Sequence, residues 1–201
     1  ALLYRSHDTV LHEDGTEYRF RLAGNRLEAT LHYRLYTGIA ALRAWCEVKN
    51  VSDAPLGLEY VSSFAYYGLD DGALPPGEQL RIRLPHNAWE RELNWKEYSL
   101  SALGYEHMSP HSGKRIGASN TGSFSTKQYL PMASVENRER GSTLLFQIEH
   151  NGSWSWEISD RDSMLYLLLS GPSEAENHWY KELTPGETFT SVPCTVAVGR
   201  D

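Results

Sequence analysis

The side chains in this sequence with the means for acid–base chemistry are carboxylates: Glu90, Glu92, Glu149, Glu157, Asp160 and Asp162. Most enzymes that cleave a glycosidic bond use two such groups facing each other across the scissile bond. Glu90 and Glu92 lie on one face if their segment is extended, because alternate residues of a strand share a face. Glu149 and Glu157 flank Asn151-Gly152 and approach each other if that dipeptide closes a hairpin. The competing reading makes all of them solvated strand faces and turn caps, the usual fate of Asp and Glu.

Aromatic side chains beside amides form a second set. Sugar rings stack their apolar C–H faces on indole or phenol, while amides and hydroxyls take the sugar hydroxyl groups. Trp89 with His86 and Asn87, Trp95 with Asn94, Trp154 with Asn151, and Trp179 with Asn177 and His178 have that composition. Large aromatics are also core and interface material, and each Trp has that alternative.

Other chemistries lack their signatures. There is no GxSxG elbow, HExxH pair, phosphate-binding loop or dinucleotide fingerprint. His107 and His111 are four apart, but Pro110 between them disfavours the helix that makes such spacing useful. Neither a metal nor a cofactor is expected. Cys46 and Cys194 are too distant in sequence for a metal knuckle or a redox pair and read as two buried thiols, with a single disulfide between them as the alternative if the first and last strands meet. Asn50-Val51-Ser52 and Asn151-Gly152-Ser153 match the glycosylation sequon, a pattern short enough to arise by chance.

The 201 residues carry a net charge of -7 with no block of Lys or Arg, which excludes the electrostatic footprint of a nucleic-acid binder. No run approaches the roughly 18 apolar residues that cross a bilayer, and Ala1-Leu2-Leu3 runs directly into polar sequence. No membrane association is expected. Nothing directs the chain to a compartment, and the cytoplasm is the favoured location.

Strands must position these residues. Leu27, Ala29, Leu31, Tyr33 and Leu35 alternate with Glu28, Thr30, His32 and Arg34; Leu42, Ala44, Cys46 and Val48 alternate with Arg43, Trp45, Glu47 and Lys49. These are half-buried strands, read as antiparallel neighbours, and a turn at 50–55 ends the second. The pattern recurs at 80–84, 144–148 and 154–158, with a hairpin predicted over 143–158 at Asn151-Gly152. Leu165 to Leu169 is a continuous apolar run, expected to be covered on both faces. The last strand is expected at 195–198, after a turn at Thr184-Pro185-Gly186-Glu187 and strand residues near Phe189. From Pro85 to Met132 the alternation fails, which predicts a long irregular segment of the kind that carries function or an interface. The fold class is all-β, a large antiparallel two-sheet sandwich with little helix, in one domain over 1–201.

The stretch Ser119-Asn120-Thr121-Gly122-Ser123-Phe124-Ser125-Thr126-Lys127-Gln128-Tyr129-Leu130-Pro131-Met132, followed by Glu136-Asn137, resembles the N-terminal domain of family 36 glycoside hydrolases, the α-galactosidases. Three further blocks agree: His86-Asn87-Ala88-Trp89 with Glu90 to Trp95, then Gln147 to Trp154, and Leu167 to Pro172 with Trp179 and Pro185-Gly186-Glu187. Their order and spacing resemble that domain from Leu3-Tyr4 to Val198.

The resemblance implies a β-supersandwich that precedes a (β/α)8 barrel in a retaining α-galactosidase, with both catalytic aspartates in the barrel. Under it the barrel is expected after residue 201, an upstream segment carrying an Asp and an Arg would precede Ala1, and no residue of this chain is catalytic. Partners would be the barrel of the same parent chain, further copies in a homo-oligomer, and an α-galactoside. The family's sandwich loops help wall the active-site pocket, so Trp89, Asn120, Ser123, Ser125 and Lys127 are the substrate-pocket candidates. The same stretch is alternatively a packing device, with Gly117 and Gly122 serving turns and Pro131 ending a strand. The leading expectation is a non-catalytic domain supporting a barrel and its oligomer. Against it stand an independent carbohydrate-binding module and a self-sufficient glycosidase using Glu149 and Glu157.

Overall fold

A computed structural model describes residues 1–70, 76–105, 113–161 and 164–200. Strands β1 (Leu3–His12), β2 (Gly15–Ala23), β3 (Leu27–Tyr36) and β4 (Ala41–Asn50) form an antiparallel meander. Then come β5 (Leu56–Leu58), β6 (Ser62–Tyr67), one helical turn α1 (Pro76–Gln79), β7 (Leu80–His86) and β8 (Asn94–Ser99). Next are β9 (Arg115–Asn120), β10 (Met132–Asn137), β11 (Ser142–Ile148), β12 (Trp154–Arg161) and β13 (Met164–Ser170). A second helical turn α2 (Glu174–Asn177) leads to β14 (Lys181–Leu183), β15 (Thr188–Thr190) and β16 (Cys194–Arg200).

Among the described residues these make a 10-stranded sheet in the order β1-β2-β3-β4-β16-β11-β10-β7-β8, with β15 beside β4, and a 4-stranded sheet in the order β6-β13-β12-β9. A third, two-stranded layer pairs β14 with β5. The architecture is the predicted all-β sandwich.

Register explains the layering. Leu80 and Ile82 of β7, Ala133 and Val135 of β10, Phe146 and Ile148 of β11 and Cys194 of β16 point to one side of the large sheet. There they meet Trp154, Trp156 and Ile158 of β12 and Leu165, Leu167 and Leu169 of β13. Burying each such side chain stabilises the fold by roughly 1.5–3 kcal/mol. A smaller cluster, Ala29, Cys46, Val48, Leu58 and Leu183, lies where the two-stranded layer covers β3 and β4. Ala44 belongs to the first cluster and Cys46 and Val48 to the second, so β4 runs through both. The opposite face of the large sheet carries ion pairs, among them Arg43 with Glu149 and Arg83 with both Glu97 and Glu136.

Several sequence expectations are corrected. The 143–158 hairpin does not form: β11 pairs with β10 and β16, whereas β12 pairs with β9 and β13. Asn151-Gly152 lies in the crossing from one sheet to the other, with the Glu149 N–H bonded to the Pro193 carbonyl. Each strand buries its apolar residues in the same core from opposite sides, which a hairpin within one sheet would not achieve. The 85–132 segment is not wholly irregular, because it holds the two sheet-edge strands β8 and β9. Edge strands with little burial have weak alternation. Gly117 is not in a turn but in β9, and Pro131 precedes β10 rather than ending a strand. Leu165, Leu167 and Leu169 are fully buried, but Tyr166 and Leu168 on the other face are only half-covered. Cys46 and Cys194 are buried free thiols, as read.

Candidate functional site

Loops from both sheets meet at one end of the sandwich. After β7, the Asn87 amide donates to the Thr126 carbonyl, its side-chain oxygen accepts from the Leu93 N–H at 3.3 Å, and its own N–H bonds the Gln128 carbonyl at 2.9 Å. His86 lies against Tyr129 with ring centroids 4.9 Å apart and reaches the Tyr98 hydroxyl at 3.0 Å. These bonds tie segment 86–93 to segment 121–130. Glu90 and Leu93 have positive φ, so Trp89 is carried on a tightly folded tip and is 90% exposed. That fold overturns the extended reading of Glu90 and Glu92: the Glu92 carboxylate instead accepts the Glu90 N–H at 3.2 Å.

The other pocket candidates lie on the neighbouring loop, with varied roles. Asn120 is buried, its amide 3.5 Å from the Gly122 carbonyl and its own carbonyl accepting from the Asn177 amide at 2.9 Å. Gly122 has φ +96 and donates its N–H to the Ser153 hydroxyl at 2.9 Å, so it does serve a turn. The Ser125 carbonyl accepts the Trp154 indole N–H at 2.8 Å, and Lys127 donates to the Thr121 carbonyl at 2.9 Å. Ser123, like its neighbour Phe124, is exposed. The structure thus brings Trp89 and the 120–127 loop to adjacent positions, while Asn120 and Lys127 are engaged in holding that loop together.

Two of the proposed stacking platforms are engaged in packing, Trp154 wholly and Trp179 in part. Trp154 is 0% exposed in the main core, and Trp179 packs on Phe189 beside the smaller cluster. Asn50, the first sequon, is also fully buried, donating to the Ala54 and Leu183 carbonyls, which leaves no face for a glycan. His107, Pro110, His111 and Asp162 lie outside the described residues.

Glu149 and Glu157 do not meet. Glu149 takes Arg43 and the Thr195 hydroxyl on the outer face of the large sheet. Glu157 takes Arg115 and the Tyr166 hydroxyl on the outer face of the small one. The core lies between those faces, so this pair cannot bracket one glycosidic bond. Asp160 is buried on β12. No group of three or more His, Cys, Asp or Glu able to hold a metal occurs among the described residues.

One concavity escaped the sequence reading. A pocket of about 490 Å³ on the outer face of the small sheet is lined by Tyr60, Arg115, Ser155, Glu157, Ser170 and the first turn of α2. Its residues come from four separate segments, each unremarkable alone. The Arg115 guanidinium bonds both Glu157 and Glu176, the latter at 2.7 Å, and Ser155 and Ser170 hydroxyls are 2.9 Å apart. Thr121 and Asn177 connect α2 to the 120–127 loop.

No protein-family model matches the chain, and no curated protein sequence does. Solved structures do match. The whole chain aligns with part of the GH36 α-galactosidase AgaA from Geobacillus stearothermophilus at a TM-score of 0.80 and 18% identity. The fold is that of a portion of GH36 α-galactosidases. AgaB from the same organism aligns over 100% of the chain at TM-score 0.81 and 17% identity, and the α-galactosidase from Lactobacillus brevis over 99% at 0.77 and 15%. The chain spans 28% of the length of AgaA and of AgaB and 27% of the Lactobacillus brevis enzyme. This is the β-supersandwich that the resemblance implied.

Proposed function

We propose that this chain is a non-catalytic N-terminal domain of a retaining α-galactosidase-like glycoside hydrolase. In this reading it is one domain over 1–201, it buttresses a catalytic barrel and the enzyme's homo-oligomer, and it lends its loop end to the galactoside pocket. The observation that carries the proposal is the whole-chain likeness to a part amounting to 28% of GH36 α-galactosidases. Barrel active sites open at a loop face, where a neighbouring domain's loops can complete a wall. Trp89 suits that role because it combines 90% exposure with a backbone held by Asn87. Ser123, Ser125, Asn120 and Lys127 follow as its neighbours, with Asn120 and Lys127 shaping the loop rather than touching sugar.

Two measurements test this. The 201-residue chain, purified, turns over no aryl α-galactoside, and measurable hydrolysis that disappears in Glu149→Gln would restore the self-sufficient glycosidase. In an enzyme joining this chain to a barrel, Trp89→Ala raises KM by roughly threefold to tenfold, the loss of one aromatic stacking contact of about 0.5–1.5 kcal/mol. An unchanged KM would remove Trp89 from the pocket wall.

A further inference from the structure

The pocket on the small sheet has no part in that reading, and its lining is chemically selective. At its base the Ser155 and Ser170 hydroxyls are 2.9 Å apart, and Tyr60 lines the pocket with them. Burial foremost, and then the nearby Glu157 charge, push the Tyr60 phenol up to about 12. Tyr60 as a whole is 46% exposed. One wall is the Glu157–Arg115–Glu176 ion-pair chain, with the Tyr166 hydroxyl 3.1 Å from Glu157. Glu59 and Glu174 form the rim.

Each feature narrows the ligand. Four glutamates against one arginine repel anions, and that arginine is already shared by two carboxylates. A cation would find its partners at the rim, whereas the base offers uncharged hydroxyls that both donate and accept. Fixed carboxylate and guanidinium groups, neutral hydroxyls and an aromatic edge suit a ligand with several adjacent hydroxyl groups and an apolar ring face. The volume lies within the range of about 300–1,000 Å³ usual for small-molecule sites. We propose that this pocket is a saccharide-binding site, separate from the loop end that carries Trp89.

Titration of the protein with galactose, raffinose and glucose, followed by calorimetry and by amide chemical shifts, tests this, with spermidine as the cationic control. The expected result is saturable millimolar binding of at least one sugar, with shifts concentrated at residues 115–119, 155–157 and 168–176. Tyr60→Ala and the rim variant Glu174→Ala should each weaken binding at least threefold, while Trp89→Ala leaves it unchanged. Glu174 is exposed, so its variant keeps the test open should Tyr60→Ala fail to fold. Three results would overturn the proposal: no sugar binding by the folded protein up to tens of millimolar, binding of spermidine alone, or sugar binding lost with Trp89→Ala and kept in the pocket variants. Since none of these assays uses catalysis, a failure here leaves the galactosidase reading standing, and the reverse also holds.

Discussion

Glu17 on β2 is a carboxylate only 4% exposed, placed among Arg19, His32 at 2.9 Å and His12 at 3.2 Å. Burial alone would raise its pKa, but hydrogen bonds from Arg19, His32 and His12 outweigh that and hold it at about 2, against 4.5 ordinarily. A folded-state pKa below the unfolded one supplies stability above pH 4.5 that is lost as pH falls towards 2. Glu17→Gln should therefore melt lower than the parent at pH 7, and the difference should shrink steadily between pH 4.5 and 2. Parallel melting curves across that window would show that Glu17 contributes nothing of the kind. The two thiols behave oppositely: burial pushes Cys46 up to about 11 and Cys194 up to about 12. Since the thiolate is the reactive form, neither should react with an aromatic disulfide reagent at pH 8 until the protein unfolds. Rapid native labelling of either would contradict the buried placement. The Glu17 environment is not visible in the local sequence, where Glu17 sits in an ordinary polar alternation.

Individual strands were legible in the sequence and their pairing was not. Alternation in 27–35 and 42–48 located β3 and β4, and their antiparallel contact followed from adjacency. The same alternation in 143–158 was equally clear, yet the inferred hairpin failed because period-two patterning says which face is buried and not which neighbour buries it. Edge strands were missed for the converse reason: β8, with Asn94 to Glu97 exposed, has no buried face to impose alternation. Gly117 shows what the element needs at one position. A Cβ there would lie 2.6 Å from the Trp156 carbonyl, a backbone atom that cannot give without disturbing the β9–β12 ladder. Gly117→Ala should lower stability by about 1–3 kcal/mol, read as a fall in the urea midpoint. A midpoint equal to the parent's would mean that β9 shifts freely at the sheet edge.

Across the molecule, two apolar clusters share β4, whose Ala44 serves one and whose Cys46 and Val48 serve the other. Unfolding either cluster strips a face from that strand, which should couple them into one transition. Trp154 and Trp156 report on the larger cluster and Trp179 on the smaller. Urea unfolding followed by total Trp fluorescence, and by a protein with Trp45, Trp89, Trp95, Trp154 and Trp156 all replaced by Phe so that Trp179 is the remaining indole, should give coincident fractional curves in each protein when compared with circular dichroism. A separate early phase at Trp179 would show that the smaller cluster opens alone. By itself the sequence determined the all-β class, the strands with one buried face and, through a spread of short blocks, the family whose fold this is, because those depend on local periodicity and residue type. The tertiary structure alone decided that Glu149 and Glu157 face away from each other, that Trp154 is interior while Trp89 projects, and that Tyr60, Arg115, Ser155, Glu157 and Ser170 enclose a pocket. Those outcomes rest on contacts between residues far apart in the chain, and such contacts are set when two sheets pack face to face.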